Sequence, residues 1–104
     1  MAFHVTHRHG AMTSNPPFST FASLLHELKE RPEDQEHCSV SVTHESEWCL
    51  GAYGGGHVVW ENLEGDNPRH MAGVPDTEIL RLWRLLAAGD IAAIEREPWL
   101  PGYH

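Results

Sequence analysis

Residues 39–63 read SVSVTHESEWCLGAYGGGHVVWENL, and apolar and polar side chains alternate through most of this stretch. Such alternation is typical of strands that bury one face. Two groups of turn residues, at 45–47 and 54–56, interrupt the alternation and allow the chain to reverse direction. The sequence therefore predicts three consecutive antiparallel strands joined by short turns.

The register of these strands follows from keeping their apolar side chains on one face. A shift of one residue would move every side chain of a strand to the other face of the sheet. We therefore predict that Val42 pairs with Leu50 and that Leu50 pairs with Trp60. In this register Tyr53 and Glu61 lie on the opposite face, where aromatic, small and acidic groups mix in a way suited to recognition.

Two amphipathic helices flank the predicted strands. The first is predicted from Thr20 to Arg31 and the second from Thr77 to Ala88, each with an apolar stripe at helical spacing. Asp76 is predicted to cap the second helix, and Asp90 to cap a short third helix. The predicted core consists of Phe21, Leu24, Leu28, Val40, Val42, Leu50, Val58, Trp60, Ile79, Leu82, Trp83 and Leu86.

With a further strand from Phe3 to Arg8, these elements predict one α+β domain over residues 1–104. We expect an antiparallel sheet of about four strands, two main helices on one face and a short C-terminal helix. The N-terminal segment could cover the other face. The chain has no apolar run of the roughly 20 residues that a membrane helix requires. Its first ten residues lack the features of a secretory signal, so the expected location is the cytoplasm.

Charge is distributed very unevenly along the chain. The net charge is -8, from 15 acids and 7 Lys or Arg residues, and no Lys or Arg occurs between Arg31 and Arg69. Such an acidic block repels nucleic acid and anionic membranes and attracts a basic protein surface. The sequence therefore predicts a basic protein partner and argues against nucleic-acid and membrane partners.

The cysteines and glycines give no sign of a cofactor. In the predicted register Cys38 and Cys49 point to opposite faces, which disfavours a disulfide between them. Gly54, Gly55 and Gly56 precede a strand, whereas a phosphate-binding loop precedes a helix, so we interpret them as a hairpin turn. We predict no cofactor and no metal site.

Metal or ligand binding through histidines is one alternative. Its candidate residues are His4, His7, His9 and His57, because His7 and His9 share a face at strand spacing. No local motif selects a catalytic triad, and the carboxylate pairs Glu45/Glu47 and Glu61/Glu64 fall in or next to turns where water is accessible. A non-catalytic protein is therefore the prediction.

The C-terminal half resembles a known family. The order GGGHVVWENL, a turn-rich connector, VPDTEILRLWRLLAAGD and a terminal Trp segment is similar to small immunity proteins of bacterial polymorphic toxin systems, often paired with deaminase or nuclease toxins. The matching positions are Trp60, Val74, Pro75 and Gly89.

This resemblance implies stoichiometric inhibition of a toxin encoded nearby, in which an acidic surface covers a basic, substrate-binding cleft. The residues expected to bind the partner are Glu45, Glu47, Tyr53, Glu61, Glu64 and Asp66. A homodimeric regulatory or structural module, built on the sheet edge or on the segment around Trp99, is the other alternative.

Overall fold

The structure is a computed structural model that describes residues 2–8, 10–30, 39–65 and 67–103. Within these ranges the chain forms seven strands, three α-helices and one short 3₁₀ turn. In chain order they are β1 (Phe3–Thr6), β2 (Met12–Ser14), α1 (Ser19–Glu30), β3 (Ser39–His44), β4 (Trp48–Tyr53), the 3₁₀ turn (Gly54–Gly56), β5 (Val58–Asn62), β6 (Arg69–Met71), α2 (Asp76–Ala87), α3 (Ile91–Glu95) and β7 (Leu100–Pro101).

All seven strands belong to one antiparallel sheet in the order β2-β1-β3-β4-β5-β6-β7. Val42 pairs with Leu50 and Leu50 with Trp60, so the predicted register is confirmed. The α+β class is also confirmed, but the prediction of about four strands is too low. The additional strands β2, β6 and β7 have only three, three and two residues, too few for an alternating pattern to show.

The helices pack on the face of the sheet that carries the predicted apolar residues. Eleven of the twelve predicted core residues are buried, and the exception, Leu28, is half-buried. Trp83 on α2 also donates a buried hydrogen bond from Nε1 to the Leu50 carbonyl at 3.0 Å. This bond anchors α2 above the middle strand of the sheet and satisfies the indole N–H inside the core.

Three tryptophans extend the core towards the C-terminal part of the chain. Trp60 is fully buried and stacks on Trp48 and on Trp99, with ring centroids 4.6 and 6.1 Å apart. Its Nε1 donates to Glu95, whose carboxylate also accepts two hydrogen bonds from Arg69 at 2.6 and 2.9 Å. The segment around Trp99 thus packs onto the domain.

Two of the predicted element ends need correction. Asp76 is the first residue of α2 rather than its cap, because Pro75 occupies the cap position and the Asp76 carboxylate accepts from Lys29 Nζ at 2.6 Å. β1 ends at Thr6 rather than Arg8, because the backbone N–H of Arg8 donates to Glu27 on α1. Asp90 caps α3 as predicted, with its side chain accepting from the backbone N–H of Ala93.

We call the face opposite the helices the open face. One row across it runs through Ser14, His4, Thr43, Cys49 and Glu61. The N-terminal segment does not cover this face, because its strands β1 and β2 extend the sheet sideways. Segment 100–103 crosses part of it instead, where the Tyr103 hydroxyl donates to Glu61 at 2.9 Å.

The three consecutive glycines differ in backbone conformation and in the space that a side chain would have. Gly55 and Gly56 have φ values of 78° and 79°, and a Cβ on Gly56 would lie 2.7 Å from the Val74 carbonyl oxygen, whereas a Cβ on Gly54 would meet nothing within 4 Å. Gly56 thus combines a left-handed backbone with close packing against the segment that leads into α2.

Alanine substitutions should separate these effects. We expect Gly56→Ala to lower the free energy of unfolding by about 2–4 kcal/mol, through left-handed strain and a backbone clash. Gly55→Ala should cost only about 1–2 kcal/mol, from the strain alone, and Gly54→Ala should lie within about 0.5 kcal/mol of the parent protein. Urea unfolding of the three variants measures this order, and equal losses at Gly55 and Gly56 would contradict the packing assigned to Gly56.

Candidate partner-binding surface

Two turns bring the predicted acidic residues together at one end of the sheet. The β3–β4 turn carries Glu45 and Glu47, and the chain after β5 carries Glu64. The turns are joined by a hydrogen bond from the backbone N–H of Leu63 to the Glu47 carbonyl at 2.9 Å. With Glu61 on the adjoining part of the open face, these four acids form a surface that we call the acidic end.

The acidic end has an apolar residue among its carboxylates. Leu63 is 53% exposed, and its neighbour Glu64 is also exposed. Glu45 is exposed as well, on the side of the β3–β4 turn where its backbone N–H donates to the Ala2 carbonyl at 2.9 Å. The backbone N–H of Glu64 donates to the Asn62 side chain at 3.0 Å, and the Asn62 amide donates to the Ser46 carbonyl at 3.3 Å. These hydrogen bonds hold both turns in a defined arrangement around Leu63.

The β3–β4 turn has an unusual residue at its tightest point. Glu47 adopts φ 73°, a left-handed conformation that favours glycine or asparagine, and its N–H donates to the His44 carbonyl at 2.9 Å. A three-residue hairpin loop commonly ends with a residue in this conformation. Here that residue is a glutamate, so the turn carries a charge at a conformational cost of roughly 1–2 kcal/mol.

His44 supports this turn from the helix side of the sheet. Its side chain is buried, and Nδ1 accepts from the Ser46 backbone N–H at 3.1 Å and lies 2.8 Å from the Ser46 hydroxyl. An Nδ1 that accepts places the proton of the neutral ring on Nε2, and Nε2 has no hydrogen-bond partner among the described residues. His44 therefore holds the turn through Nδ1, while Nε2 is buried.

Arg69, on the strand β6 that pairs with β5, does not neutralise the acidic end. Arg69 pairs with Trp60 on the helix face, lies 5.9 Å over the Trp48 ring and binds Glu95 through two hydrogen bonds. Those hydrogen bonds raise the pKa of Arg69 and lower the pKa of Glu95, while partial burial opposes both shifts. Arg69 and Glu95 thus remain a charged pair whose charges largely cancel each other.

One predicted partner-binding residue lies away from the acidic end, and another lies outside the described residues. Tyr53 lies at the opposite end of β4, five residues from Trp48, which corresponds to about 17 Å along a strand. Asp66 lies outside the described residues, as do His9 and Cys38. The structure therefore divides the predicted set into an acidic end and a separate region around Tyr53.

Around Tyr53 the open face contains a cavity of about 400 Å³ that the sequence did not predict. It is lined by Tyr53, His57, Val59 and Tyr103. Tyr103 is separated from the other three by more than 40 residues, and no periodicity links such distant positions. The pairing of β5 with β6 and of β6 with β7 brings Tyr103 to this place.

A second cavity of about 400 Å³ lies on the helix side, beside the triple glycine. Leu25, Leu28 and Ile79 form its apolar part, and the Lys29–Asp76 ion pair lies at its edge with both side chains at least half exposed. The ammonium and carboxylate groups at this edge are thus already engaged with each other.

The three described histidines among the proposed metal ligands, His4, His7 and His57, do not converge. His7 contacts Glu27 through Nδ1 and Thr13 through Nε2, both at 2.8 Å, whereas His4 lies on the open face and His57 at the far end of β5. Across residues 2–8, 10–30, 39–65 and 67–103, no group of three or more His, Cys, Asp or Glu side chains has a geometry that could hold a metal ion.

Cys49 is buried on the open face in the row that contains Glu61. Burial raises the pKa of its thiol, hydrogen bonds with Thr43 and Ser41 act in the opposite direction, and the Glu61 charge raises the pKa further. A nucleophilic cysteine needs the reverse setting, in which positive charge or a helix N-terminus lowers the pKa. Cys49 is therefore a structural side chain.

Comparison with known proteins adds no relative to this description. A scan against protein-family models and searches of curated proteins and of solved structures return no match to the chain. In the part of the chain that the structure describes, the longest helices have 12 residues, and none has both the length and the hydropathy needed to cross a bilayer.

The burial of Cys49 predicts slow thiol chemistry. In a Cys38→Ser variant, a water-soluble disulfide reagent should modify the native protein at least roughly tenfold more slowly than the urea-unfolded chain, because the thiolate is both disfavoured and shielded. The release of the reagent's coloured thiol gives the rate. Equal rates in the native and unfolded states would show that Cys49 is accessible.

Proposed function

We propose that this chain is a non-catalytic binding protein that neutralises a basic protein partner in the cytoplasm, as the resemblance to toxin-immunity proteins implies. The observation that carries the proposal is that the β3–β4 turn, which carries Glu45 and Glu47, is hydrogen-bonded to the chain after β5, which carries the exposed Leu63 and Glu64. Residues 39–65 contain no Lys or Arg that could neutralise these carboxylates.

Such a surface suits rapid association with a basic cleft. Several carboxylates at one end of a sheet attract a positively charged partner from a distance and raise its association rate. An exposed apolar side chain at the centre supplies contact area that charges alone do not provide. The acidic end therefore combines long-range attraction with a short-range anchor.

The conformation of Glu47 supports a functional role for this turn. Left-handed strain in a non-glycine residue persists only where the surrounding structure holds it, and such residues cluster at functional sites. Glycine at position 47 would relieve the strain but would remove a carboxylate from the acidic end. The glutamate is consistent with selection for charge over stability at this position.

Binding is favoured over catalysis by the environment of the reactive groups. The side chains of Glu45 and Glu64 are exposed, and Cys49 has a raised thiol pKa. General acid–base catalysis and nucleophilic attack need carboxylates or thiols whose surroundings shift them towards reactivity. The acidic end provides charge complementarity instead.

Two surfaces were considered for a homodimer, the sheet edge and the segment around Trp99, and the Trp99 ring is not available for such a contact. Trp99 stacks on the buried Trp60 and donates from Nε1 to the Ile94 carbonyl at 2.9 Å, so its ring is part of the domain. Strand β2, with Met12 69% exposed, remains as a sheet edge at which a second copy could pair. Sedimentation of the purified protein distinguishes this alternative from a monomer.

Neutralising two exposed acids should weaken binding to the product of the adjacent gene. We expect Glu45→Gln with Glu64→Gln to weaken affinity roughly tenfold, mainly through a slower association rate, because each exposed charge contributes about 0.5–1 kcal/mol. The same variant should show a smaller dependence of affinity on salt. Surface-immobilised binding kinetics and rescue of growth upon co-expression measure both effects.

A variant with Ala72→Lys and Thr77→Lys is the matched control. It changes the net charge by the same two units but at exposed positions at the opposite end of the sheet, next to the triple glycine. Its affinity should stay within about threefold of the parent, since distant surface charges are screened. Equal loss of affinity in both variants would show that only the net charge of the protein matters and not the position of the acids. An adjacent gene product that neither binds nor is toxic would refute the proposal.

Substitutions at Glu47 should separate stability from binding. We expect Glu47→Gly to raise the free energy of unfolding by about 1 kcal/mol through relief of left-handed strain, while weakening partner binding. Glu47→Gln should weaken binding similarly without the gain in stability. Ser46→Gly, in the same turn but without positive φ, should be neutral or destabilising. A Glu47→Gly variant of unchanged stability would contradict the strain, and one with unchanged affinity would remove Glu47 from the binding surface.

A further inference from the structure

The cavity on the open face has aromatic walls set at steep angles to each other. The rings of Tyr53 and His57 have centroids 5.8 Å apart and an interplanar angle of 72°, and Tyr103 lines the same cavity. Val59 contributes the apolar side chain from the strand between them. The face of a tyrosine ring attracts organic cations, because its quadrupole places negative charge above and below the ring plane.

A carboxylate lies beside these rings. Glu61 follows Val59 by two residues on β5, so both side chains point to the open face. Its Oε2 accepts from the Tyr103 hydroxyl at 2.9 Å, whereas Oε1 has no hydrogen-bond partner within the described part of the chain. A cation between the rings could therefore also contact a negatively charged oxygen.

The Tyr103 wall is held in place by the backbone around it. His57 Nε2 lies 2.6 Å from the Tyr103 carbonyl, His70 Nδ1 lies 3.0 Å from the Gly102 carbonyl, and the Gly102 N–H donates to the Pro68 carbonyl at 2.9 Å. The His57 and His70 rings also stack on each other, with centroids 5.4 Å apart. A wall fixed before binding lowers the entropy lost when a ligand enters.

We propose that this cavity binds the guanidinium group of an arginine side chain on the basic partner. A planar guanidinium can stack on an aromatic ring while its N–H groups donate to a carboxylate. Here aromatic side chains line the cavity, and the Glu61 carboxylate is hydrogen-bonded to one of them, Tyr103. The net negative charge of the chain repels anionic ligands and so disfavours them at this cavity. This inference rests on the proposed function and adds a specific anchor to it, at the part of the open face next to Glu61.

Titration with a small arginine analogue tests the cavity without the partner. We expect N-acetyl-arginine amide to shift the backbone NMR signals of His57, Val59 and Tyr103 in the ¹⁵N-labelled full chain, with millimolar affinity. N-acetyl-citrulline amide has nearly the same shape without the charge and should bind at least roughly fivefold more weakly. N-acetyl-lysine amide should also bind more weakly, because its ammonium group cannot stack as a plane.

Variants assign the effect to named groups. Tyr103→Leu removes a ring and Glu61→Gln removes the charge, so each should weaken binding of the arginine analogue by roughly fivefold. Tyr103→Phe keeps the ring but removes the hydroxyl that positions Glu61. This variant should lose less affinity for the arginine analogue than Tyr103→Leu. Glu78→Gln, an equal change of charge on α2, should leave the affinity unchanged. Preserved dispersion of the remaining NMR signals shows that each variant is folded.

The outcomes separate this inference from the proposed function. Equal binding of the arginine and citrulline analogues, tighter binding of the lysine analogue, or shifts confined to other residues would overturn the guanidinium assignment, even if the adjacent gene product binds at the acidic end. Selective binding of the arginine analogue at these residues would support the assignment, even if that gene product fails to bind and the proposed function falls.

Discussion

The contact between Trp60 and its two neighbouring indoles joins parts of the chain that are far apart in sequence. Trp48 begins β4, Trp60 lies in the middle of β5 and Trp99 follows α3, and the two stacks combine them into one aromatic cluster on the helix face. Because the rings are large and Trp60 is fully buried, this cluster accounts for a substantial part of the apolar surface removed from water. The path of the last residues of the chain depends on it.

That path explains how the core determines the open face. Trp99 packs on the helix face, Leu100 and Pro101 pair with β6 at the edge of the sheet, and Tyr103 then lies on the open face against Glu61. The chain thus passes around the sheet edge within five residues. Any change that releases Trp99 from Trp60 would also remove one wall of the cavity near Tyr53, although the two sites lie on opposite faces.

The pattern of residues 39–63 was sufficient to predict the core register because a strand with one buried face tolerates no slip. The same logic could not find β6 or β7, which are too short to show alternation and are recognised only through their pairing with β5 and with each other. Nor could it find Tyr103 as a partner of Glu61, since the two are 42 residues apart. The prediction that Asp76 caps α2 was wrong because the backbone N–H groups of Glu78 and Ile79 donate to the Pro75 carbonyl, which makes Pro75 the cap.

The arrangement of the acids follows from the topology once the register is known. In an antiparallel meander alternate turns lie at the same end, so the turn after β3 and the turn after β5 must be neighbours, while the turn after β4 lies at the far end. Glu45 and Glu64 are therefore brought together by strand order, and Tyr53 is placed away from them by the same rule. Glu61 is the member of the acidic end nearest to the cavity, one residue from the end of β5 and two from Val59. A partner that contacts both the cavity and the two turns would also contact Glu61. This one carboxylate would then both attract the basic surface of the partner and bind one of its cationic side chains.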